Sequence, residues 1–525
     1  MNKPRTFIFG LDGATFGLIE PLVQKGFLPT LGKLMANGVY GPLQTFPIMN
    51  SEAGWTSLIT GCNPGQHGIY QLERWGHGDQ VWGKATRADV KKDPFWRLLS
   101  ESGQYVGIIN APLSYPADPI NGFMLSGMHT PSVHSPGAIY PPAIYNELRR
   151  QGIDYIIEIP RLADLCHRNP QKALEEAQNL LNLHSRAILY LMKTRPWNVV
   201  FAIFTVTDIL QHFFWPDEQT SVESEHWAPI RNIYQLIDTI LHDVLELAGE
   251  NTTVLIVSDH GFAPAHLGKE CLNQVFAQLG LLRFCQGQGQ WKNRFLKHLL
   301  QHGREIIPDW LQAYMVRTFP RLYGHTLQES KFSGIDWSHT QVFSHPYGMS
   351  VYLNLKGRRK KGIVPTENEE SLCQRVQEIL LNLSDPATGR EVIRKVYRRK
   401  DLYHGPYLGQ AADLLIEWNE KTLRDSLCYC VAGNPLTAQP FKRSMNDRRV
   451  KGLHNPQGIF ITCGPNIKKR AKIVSAHLYD IAPTILYLQN HPIPNDMDGK
   501  VLTDILNDEY YHQHPVKYIG PQKIQ

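Results

Sequence analysis

The sequence is most informative first through what it lacks. No apolar run in its 525 residues is long enough to cross a bilayer. The opening segment, Met1-Asn-Lys-Pro-Arg-Thr-Phe-Ile-Phe-Gly-Leu-Asp-Gly, has neither the apolar stretch nor the small-residue cleavage site of a signal peptide. Its 8 cysteines, at 62, 166, 271, 285, 373, 428, 430 and 463, are scattered apart from one C-x-C pair. That spacing excludes a disulfide framework and a zinc finger. A formal charge of +6 is spread too thinly over the chain to mark a nucleic-acid surface, although it suits an anionic ligand. Internal repeats and low-complexity tracts are absent. These features lead to an expectation of a cytoplasmic protein with reduced core thiols and neither a membrane nor a nucleic-acid polymer as partner.

What is present is an ordinary globular composition, 42% apolar and 19% charged. The length exceeds what one hydrophobic core usually supports, so an enlarged domain or a domain with a second lobe is expected. Short apolar, β-rich runs at 6–11, 105–110, 198–205 and 253–257 end abruptly in polar residues or glycine, as buried strands of a parallel sheet do. Helical periodicity fills the intervals, notably at 170–194 and 230–248. The alternation predicts an α/β fold, an α/β/α sandwich with a mostly parallel, doubly wound central sheet. Residues 286–345 break it and read as an inserted helical lobe or lid. The core is therefore expected to occupy 1–285 and 346–510, with a tail at 511–525. The basic run 356–361 reads as a solvated loop.

In doubly wound sheets, ligands collect beyond the carboxyl ends of the strands. The polar residues there form a set. Asp12 precedes Gly13 after the first strand, where a carboxylate can project from the sheet edge; a plain Asp-Gly turn is the alternative. Asp208 and His212, four apart, share one face of a helix and could share a cation, or could be a capping Asp and a packed His. Asp259 and His260 are adjacent in Ser258-Asp-His-Gly261 and reach one cleft only if the chain leaves its strand there. His454 stands in a turn-like segment before the last apolar strand. Ser51 precedes a helical segment, where its hydroxyl either meets the positive end of the dipole or acts as an N-cap.

The order of these motifs resembles a known family. Asp12, then Ser51 before Trp-Thr-Ser-x-x-Thr-Gly-x-x-Pro-x-x-His-Gly-Ile, then Asp208-x-x-x-His212, Asp259-His260-Gly261 and the late His454 resemble the type I phosphodiesterase/nucleotide pyrophosphatase branch of the alkaline phosphatase superfamily. The bacterial group described as predicted phosphohydrolases or phosphomutases is more similar still. The likeness runs from Thr6 to about Leu506 and takes in Tyr352-Leu-Asn-Leu-Lys-Gly-Arg358, Asp480-Ile-Ala-Pro-Thr-Ile-Leu486 and Pro494-Asn-Asp-Met-Asp-Gly499.

The resemblance implies an alkaline-phosphatase-like fold and two divalent metal ions, zinc or manganese. Asp208, His212 and His454 would hold one; Asp12, Asp259 and His260 would hold the other, with Ser51 beside it as metal-contacting nucleophile. It implies hydrolysis of a phosphodiester or phosphomonoester, an anionic phosphorylated small molecule, through a phosphoseryl intermediate. A phosphomutase with the same nucleophile and metals, or a non-catalytic binding protein on the same fold, is the alternative. The chain departs from the family pattern in two places. It has Ser51-Glu-Ala-Gly-Trp where relatives have x-Pro-Ala-Trp after the nucleophile, so Glu52 alters the adjacent pocket. It also lacks the asparagine that follows His-Gly-Ile in the nucleotide pyrophosphatases, for which Gln71 is a candidate substitute as a substrate-binding residue. A sulfatase is disfavoured, because the Cys/Ser-x-Pro-x-Arg context is absent.

Overall fold

The computed structural model describes residues 4–47, 49–75, 81–217, 219–265, 272–285, 332, 334–345, 348–359, 361–385, 388–419, 429–431, 434–436 and 450–521. The chain forms two compact units: Met1–Ile69, Thr86–Ala265 and Ser444–Gln525 make the first, and Tyr70–Ala85 with His266–Arg443 the second.

The first unit is built on a 10-stranded sheet. Its strands are β1 (Arg5–Leu11), β2 (Val39–Gln44), β3 (Val106–Ala111), β4 (Gly122–Ser126), β5 (Ile139–Tyr140), β6 (Val199–Phe204) and β7 (Thr252–Val257). A short pair outside it, β8 (Gly261–Pro264) with β9 (Gly452–Asn455), leads into β10 (Gln457–Cys463), β11 (Ala471–Lys472) and β12 (Ala476–His477). The order across the sheet is β11-β2-β10-β7-β1-β6-β3-β4-β5, with β12 also on β2. Only β10 and β5 run antiparallel to their neighbours. The mostly parallel α/β sheet expected from the sequence is therefore present.

Alternation along β1 shows why the sheet is buried on both faces. Phe7, Phe9 and Leu11 enter one core and Ile8 the other. The helices that matter here are α1 (Ser51–Thr60), α2 (Phe95–Glu101), α3 (Pro170–Thr194), α4 (Val206–Phe214), α5 (Ala228–Ala248) and α6 (Ile481–Leu488). Helices α3 and α5 pack with Phe7 and Phe9, whereas Trp55 of α1, Phe95 of α2 and Ile481 of α6 pack with Ile8.

Strand β2 was not legible, for a physical reason. Gly41 and Pro42 interrupt it, and a strand proline cannot donate to a ladder. Here Pro42 falls between the pairing of Val39 and Tyr40 with β11 and that of Leu43 and Gln44 with β12.

The second unit has a 4-stranded antiparallel sheet, in the order Val342–Ser344, Ser350–Leu353, Leu414–Trp418, Ile393–Arg398, with the helix Glu369–Leu381. Residues 286–331, most of the expected helical lobe, lie outside the described residues. The basic run is not simply solvated. Lys356 is exposed, but Arg358 pairs with the buried carboxylate of Asp413, and the Arg359 guanidinium lies 4.4 Å from the Phe343 ring centroid. No helix among the described residues is long and apolar enough to cross a membrane.

Candidate metal centre and nucleophile

Two strand ends, those of β1 and β7, the short strand β9 and the helices α1 and α4 build the site. At the end of β1 the Asp12 N–H donates to Phe204 O of β6 at 3.1 Å, and Gly13 turns the chain with φ +69°. Helix α1 begins at Ser51, but its cap is Asn50, whose side chain accepts from Ala53 N at 2.9 Å. Ser51 is thereby spared capping. Its Oγ donates to Asp12 Oδ1 at 3.2 Å and lies 3.4 Å from His260 Nε2. The Trp55 indole, one helical turn on, donates to Asp12 Oδ2 at 3.1 Å. Close approach of α1 to the sheet edge requires Gly54, since a Cβ there would stand 3.0 Å from Asp259 Cβ.

Asp208 and His212 lie on α4, as their spacing predicts. His454, expected in a turn, lies on β9, where its register partner is Phe262 of β8. The short β8–β9 pair is how the chain leaves β7 so that Asp259 and His260 can both face the cleft.

Each histidine offers Nε2. The Nδ1–H groups of His212, His454 and His260 are directed at the carbonyl oxygens of Gly452 (2.9 Å), Met49 (2.8 Å) and Gly261 (3.1 Å). A backbone acceptor on one ring nitrogen fixes the tautomer and leaves the other as ligand.

Two three-residue groups result, Asp208 with His212 and His454, and Asp12 with Asp259 and His260. In the first, His454 Nε2 is 2.9 Å from Asp208 Oδ1 and 3.1 Å from His212 Nε2. In the second, His260 Nε2 lies 3.4 Å from Asp259 Oδ2 and 3.6 Å from Asp12 Oδ1. Ligand atoms about 2.0 Å from a tetrahedral cation are separated by roughly 3.3 Å, which these spacings bracket.

The electrostatics point the same way. Burial, then the charges of Asp259 and Asp208, hold the Asp12 carboxyl well above the usual carboxylate range. Burial and the Asp208 charge push Asp259 to about 7. Burial also pushes Asp208 up, but His212, His454 and His260 together bring it below the ordinary value. Burial drives His260 well down. His454 is raised, because Asp208 overcomes its burial. Oδ2 of Asp259 is buried with no hydrogen-bond donor. Such a cluster of crowded acids and directed lone pairs is costly without a positive charge, and divalent cations fit both groups.

Ser51 and the six candidate ligands all belong to the first unit, whereas Gln71 belongs to the second. Trp55 was missed as a functional residue, although the motif contained it; nothing in the sequence tells an indole that orients a ligand from one that only packs. The Pro-x-x-His-Gly-Ile motif proves to be structural. His67 is buried, accepts Ile69 N–H at Nδ1 (3.1 Å) and lies 2.9 Å from Ser57 Oγ, pinning α1. The Pro494–Gly499 motif serves the C-terminal end of that helix, where Asp498 N–H donates to Gly61 O at 2.9 Å and its carboxylate accepts from Asn63 N at 2.6 Å.

This sheet, with a serine and two carboxylate–imidazole groups at its carboxyl edge, is that of an alkaline-phosphatase-like phosphoric ester hydrolase. The family model for type I phosphodiesterase/nucleotide pyrophosphatase matches residues 6–423, and the chain belongs to that family. His454 lies beyond the matched residues, and its place in the site rests on the structure. Murine ectonucleotide pyrophosphatase/phosphodiesterase 5 is similar in fold, with 12% identity, 96% of this chain and 100% of that chain covered, and a TM-score of 0.50. An inactive form of that protein, in complex with AMP, matches equally. Phosphonoacetate hydrolase from Sinorhizobium meliloti, in complex with phosphonoacetate, gives 13% identity, coverage of 93% and 96%, and a TM-score of 0.53. No curated protein sequence matches.

Proposed function

We propose that this enzyme cleaves a phosphate ester by attack of Ser51 on phosphorus. Asp208, His212 and His454 would hold one divalent cation and Asp12, Asp259 and His260 a second. The observation that carries this reading is two three-residue groups side by side, His260 Nε2 lying 3.8 Å from Asp208 Oδ1, with Ser51 against one of them, its Oγ 3.2 Å from Asp12 Oδ1 and 3.4 Å from His260 Nε2.

A serine hydroxyl is a poor nucleophile unless activated. Two bound cations would supply Lewis acidity to the attacking and leaving oxygens of an in-line displacement. Zinc and manganese both suit the mixed oxygen and nitrogen donors. Asp12, held by the Trp55 indole, orients the hydroxyl, and the leading N–H groups of α1 favour an anion at this end of the helix. As the Ser51 O–P bond forms, the P–O bond to the alcohol breaks and the alcohol departs with the proton that Ser51 gives up, leaving a phosphoseryl group. Water then attacks phosphorus from the opposite side, the P–O bond to Ser51 breaks, the phosphoryl product departs with the water's oxygen, and Ser51 takes up the proton that the water loses.

The substrate is read as an anionic phosphorylated small molecule. Free, buried Cys62, Cys166 and Cys373 support a reducing, cytoplasmic setting. A screen of phosphomonoesters, phosphodiesters and nucleotides, run with added zinc or manganese on the native enzyme and Ser51→Ala, tests the proposal. Turnover in the native enzyme that disappears in the variant is expected, and equal turnover in both overturns it.

A further inference from the structure

Glu52, one residue beyond the nucleophile, is not a solvated helix-start carboxylate. Its Oε1 lies 2.8 Å from His129 Nε2, and the two side chains are 12% and 17% exposed. His129 reaches it from the turn after β4, in which Thr130 N–H donates to Gly127 O at 3.1 Å. There the His129 backbone has φ +75°, a left-handed conformation that suits glycine or asparagine and strains a histidine. Gly127 has no room for a Cβ, which would meet the Asn110 backbone at 2.3 Å. The turn is thus held tightly against β3, and it presents an imidazole to Glu52 at the expense of backbone strain.

Ser51 and Glu52 are consecutive in a helix, so their side chains diverge by about 100°. Ser51 turns to Asp12 at the end of β1, and Glu52 turns to His129 beyond the end of β4. In the sheet order these strands are three apart, on the order of 14 Å at ~4.8 Å per strand. The pair therefore borders the cleft on the side away from β7 and the Asp259–His260 ligands. An imidazolium can cancel one carboxylate and no more, so the pair itself offers carboxylate oxygens and an imidazole but no surplus positive charge. It is the opposite of an anion site.

We propose that the Glu52–His129 pair selects the charge of the substrate's alcohol arm, rejecting an anionic group and accepting an uncharged or cationic arm that donates hydrogen bonds. Like charges brought together in a part-buried cleft are strongly disfavoured, and rejection of this kind confers specificity without adding affinity for the right ligand. The pair is a specificity determinant, not a participant in bond breaking. The inference rests on the phosphohydrolase reading for the position of the substrate.

The test is calorimetric titration of the metal-loaded native protein, Glu52→Gln and His129→Gln with glycerol 3-phosphate and with 2-phosphoglycolate, which share a phosphoryl group and differ in arm charge. The native protein should prefer glycerol 3-phosphate, and Glu52→Gln should shrink that preference at least tenfold. His129→Gln, which keeps a hydrogen-bond donor but cannot offset charge, should preserve or widen it. A preference changed less than twofold in Glu52→Gln overturns the proposal. So does an equal weakening of both ligands in both variants with a matching fall in Tm, the signature of a mere brace. In parallel, p-nitrophenyl diesters carrying glycerol or glycolate arms report turnover. Absence of all turnover in the native enzyme would count against the hydrolase reading, while the binding preference still judges the pair.

Discussion

His212 and His454, 242 residues apart in the chain, bring their Nε2 atoms within 3.1 Å of each other. With both Nδ1–H groups directed at backbone carbonyls, two lone pairs would face one another, a repulsive arrangement unless a positive charge lies between them. Against the opposing effect of burial, Asp208 raises the proton affinity of His454; a divalent cation would compete with that proton, so metal uptake should release protons. His454→Ala removes one ligand and should lower bound metal from two equivalents toward one. Elemental analysis after dialysis measures this, and unchanged stoichiometry would contradict the ligand set.

Removing the metals should destabilise the fold, because the crowded, buried carboxylates of Asp12 and Asp259 then face one another and Asp208 without the charge of a cation. A ligand at 100 times its Kd stabilises by about 2.7 kcal/mol per site. Tm in excess chelator is therefore expected to fall by several degrees and to recover on adding zinc or manganese. A Tm indifferent to both treatments would count against resident metal.

Ser51→Ala should abolish turnover, by a factor of about a thousand or more, while leaving metal content near that of the native enzyme. The structure explains the separation. Of the six proposed ligands, the three histidines and Asp259 have backbone partners and Asp12 keeps the Trp55 indole when its bond from the Ser51 hydroxyl is lost. Parallel measurement of metal content and phosphodiester turnover checks it. Loss of metal along with activity would make Ser51 a structural ligand first.

How far the sequence carried the reading depended on whether the physics was local. Asp208 and His212 were legible because a four-residue spacing on a helix fixes a shared face. Asp259 and His260 were legible only conditionally, since the β8–β9 pair that turns them inward depends on Gly452–Asn455, nearly two hundred residues downstream. His129 gave no signal at all. Its role depends on a positive-φ turn and on a glutamate 77 residues away, and neither leaves a pattern in composition or periodicity. Arg358 was misread for a related reason, because the basic run concealed one side chain committed to a distant buried carboxylate.

That carboxylate gives a prediction for the second unit. Asp413 is fully buried and accepts Arg358 Nη1 and Arg399 Nη1, each at 2.7 Å, and Leu353 N–H at 2.7 Å. Breaking a buried ion pair by removing one partner typically costs about 3–5 kcal/mol. Arg399 and Leu353 still serve Asp413 in Arg358→Met, so a loss near the lower end, about 3 kcal/mol, is expected for that variant. Asp413→Asn should cost more, because it removes the carboxylate charge from two guanidinium groups at once, leaving Arg358 only the Leu353 carbonyl while Arg399 keeps Glu369. Urea unfolding followed by tryptophan fluorescence would rank them, and the reverse order would mean that Arg358 contributes mainly through packing.

Acid should weaken the fold through histidines kept neutral by burial. His67 is pushed down to about 3 and His184 to about 4, both because the charged form would be desolvated. The unfolded chain binds a proton at each near pH 6.5, whereas the folded chain does not. The unfolded state therefore gains protons first, and stability is fully present above pH 6.5 and declines as pH falls from there toward 3–4. Each group can contribute a slope of up to about 1.4 kcal/mol per pH unit in that window. Metal release steepens the native curve too, so the informative quantity is a difference between proteins at the same metal loading. His67→Gln retains a side-chain amide that can donate to Ser57 Oγ but cannot titrate. Denaturant midpoints between pH 7.5 and 5 should fall less steeply for this variant than for the native enzyme, whatever its absolute stability. Parallel curves for the two proteins would show that His67 takes up its proton without leaving the fold.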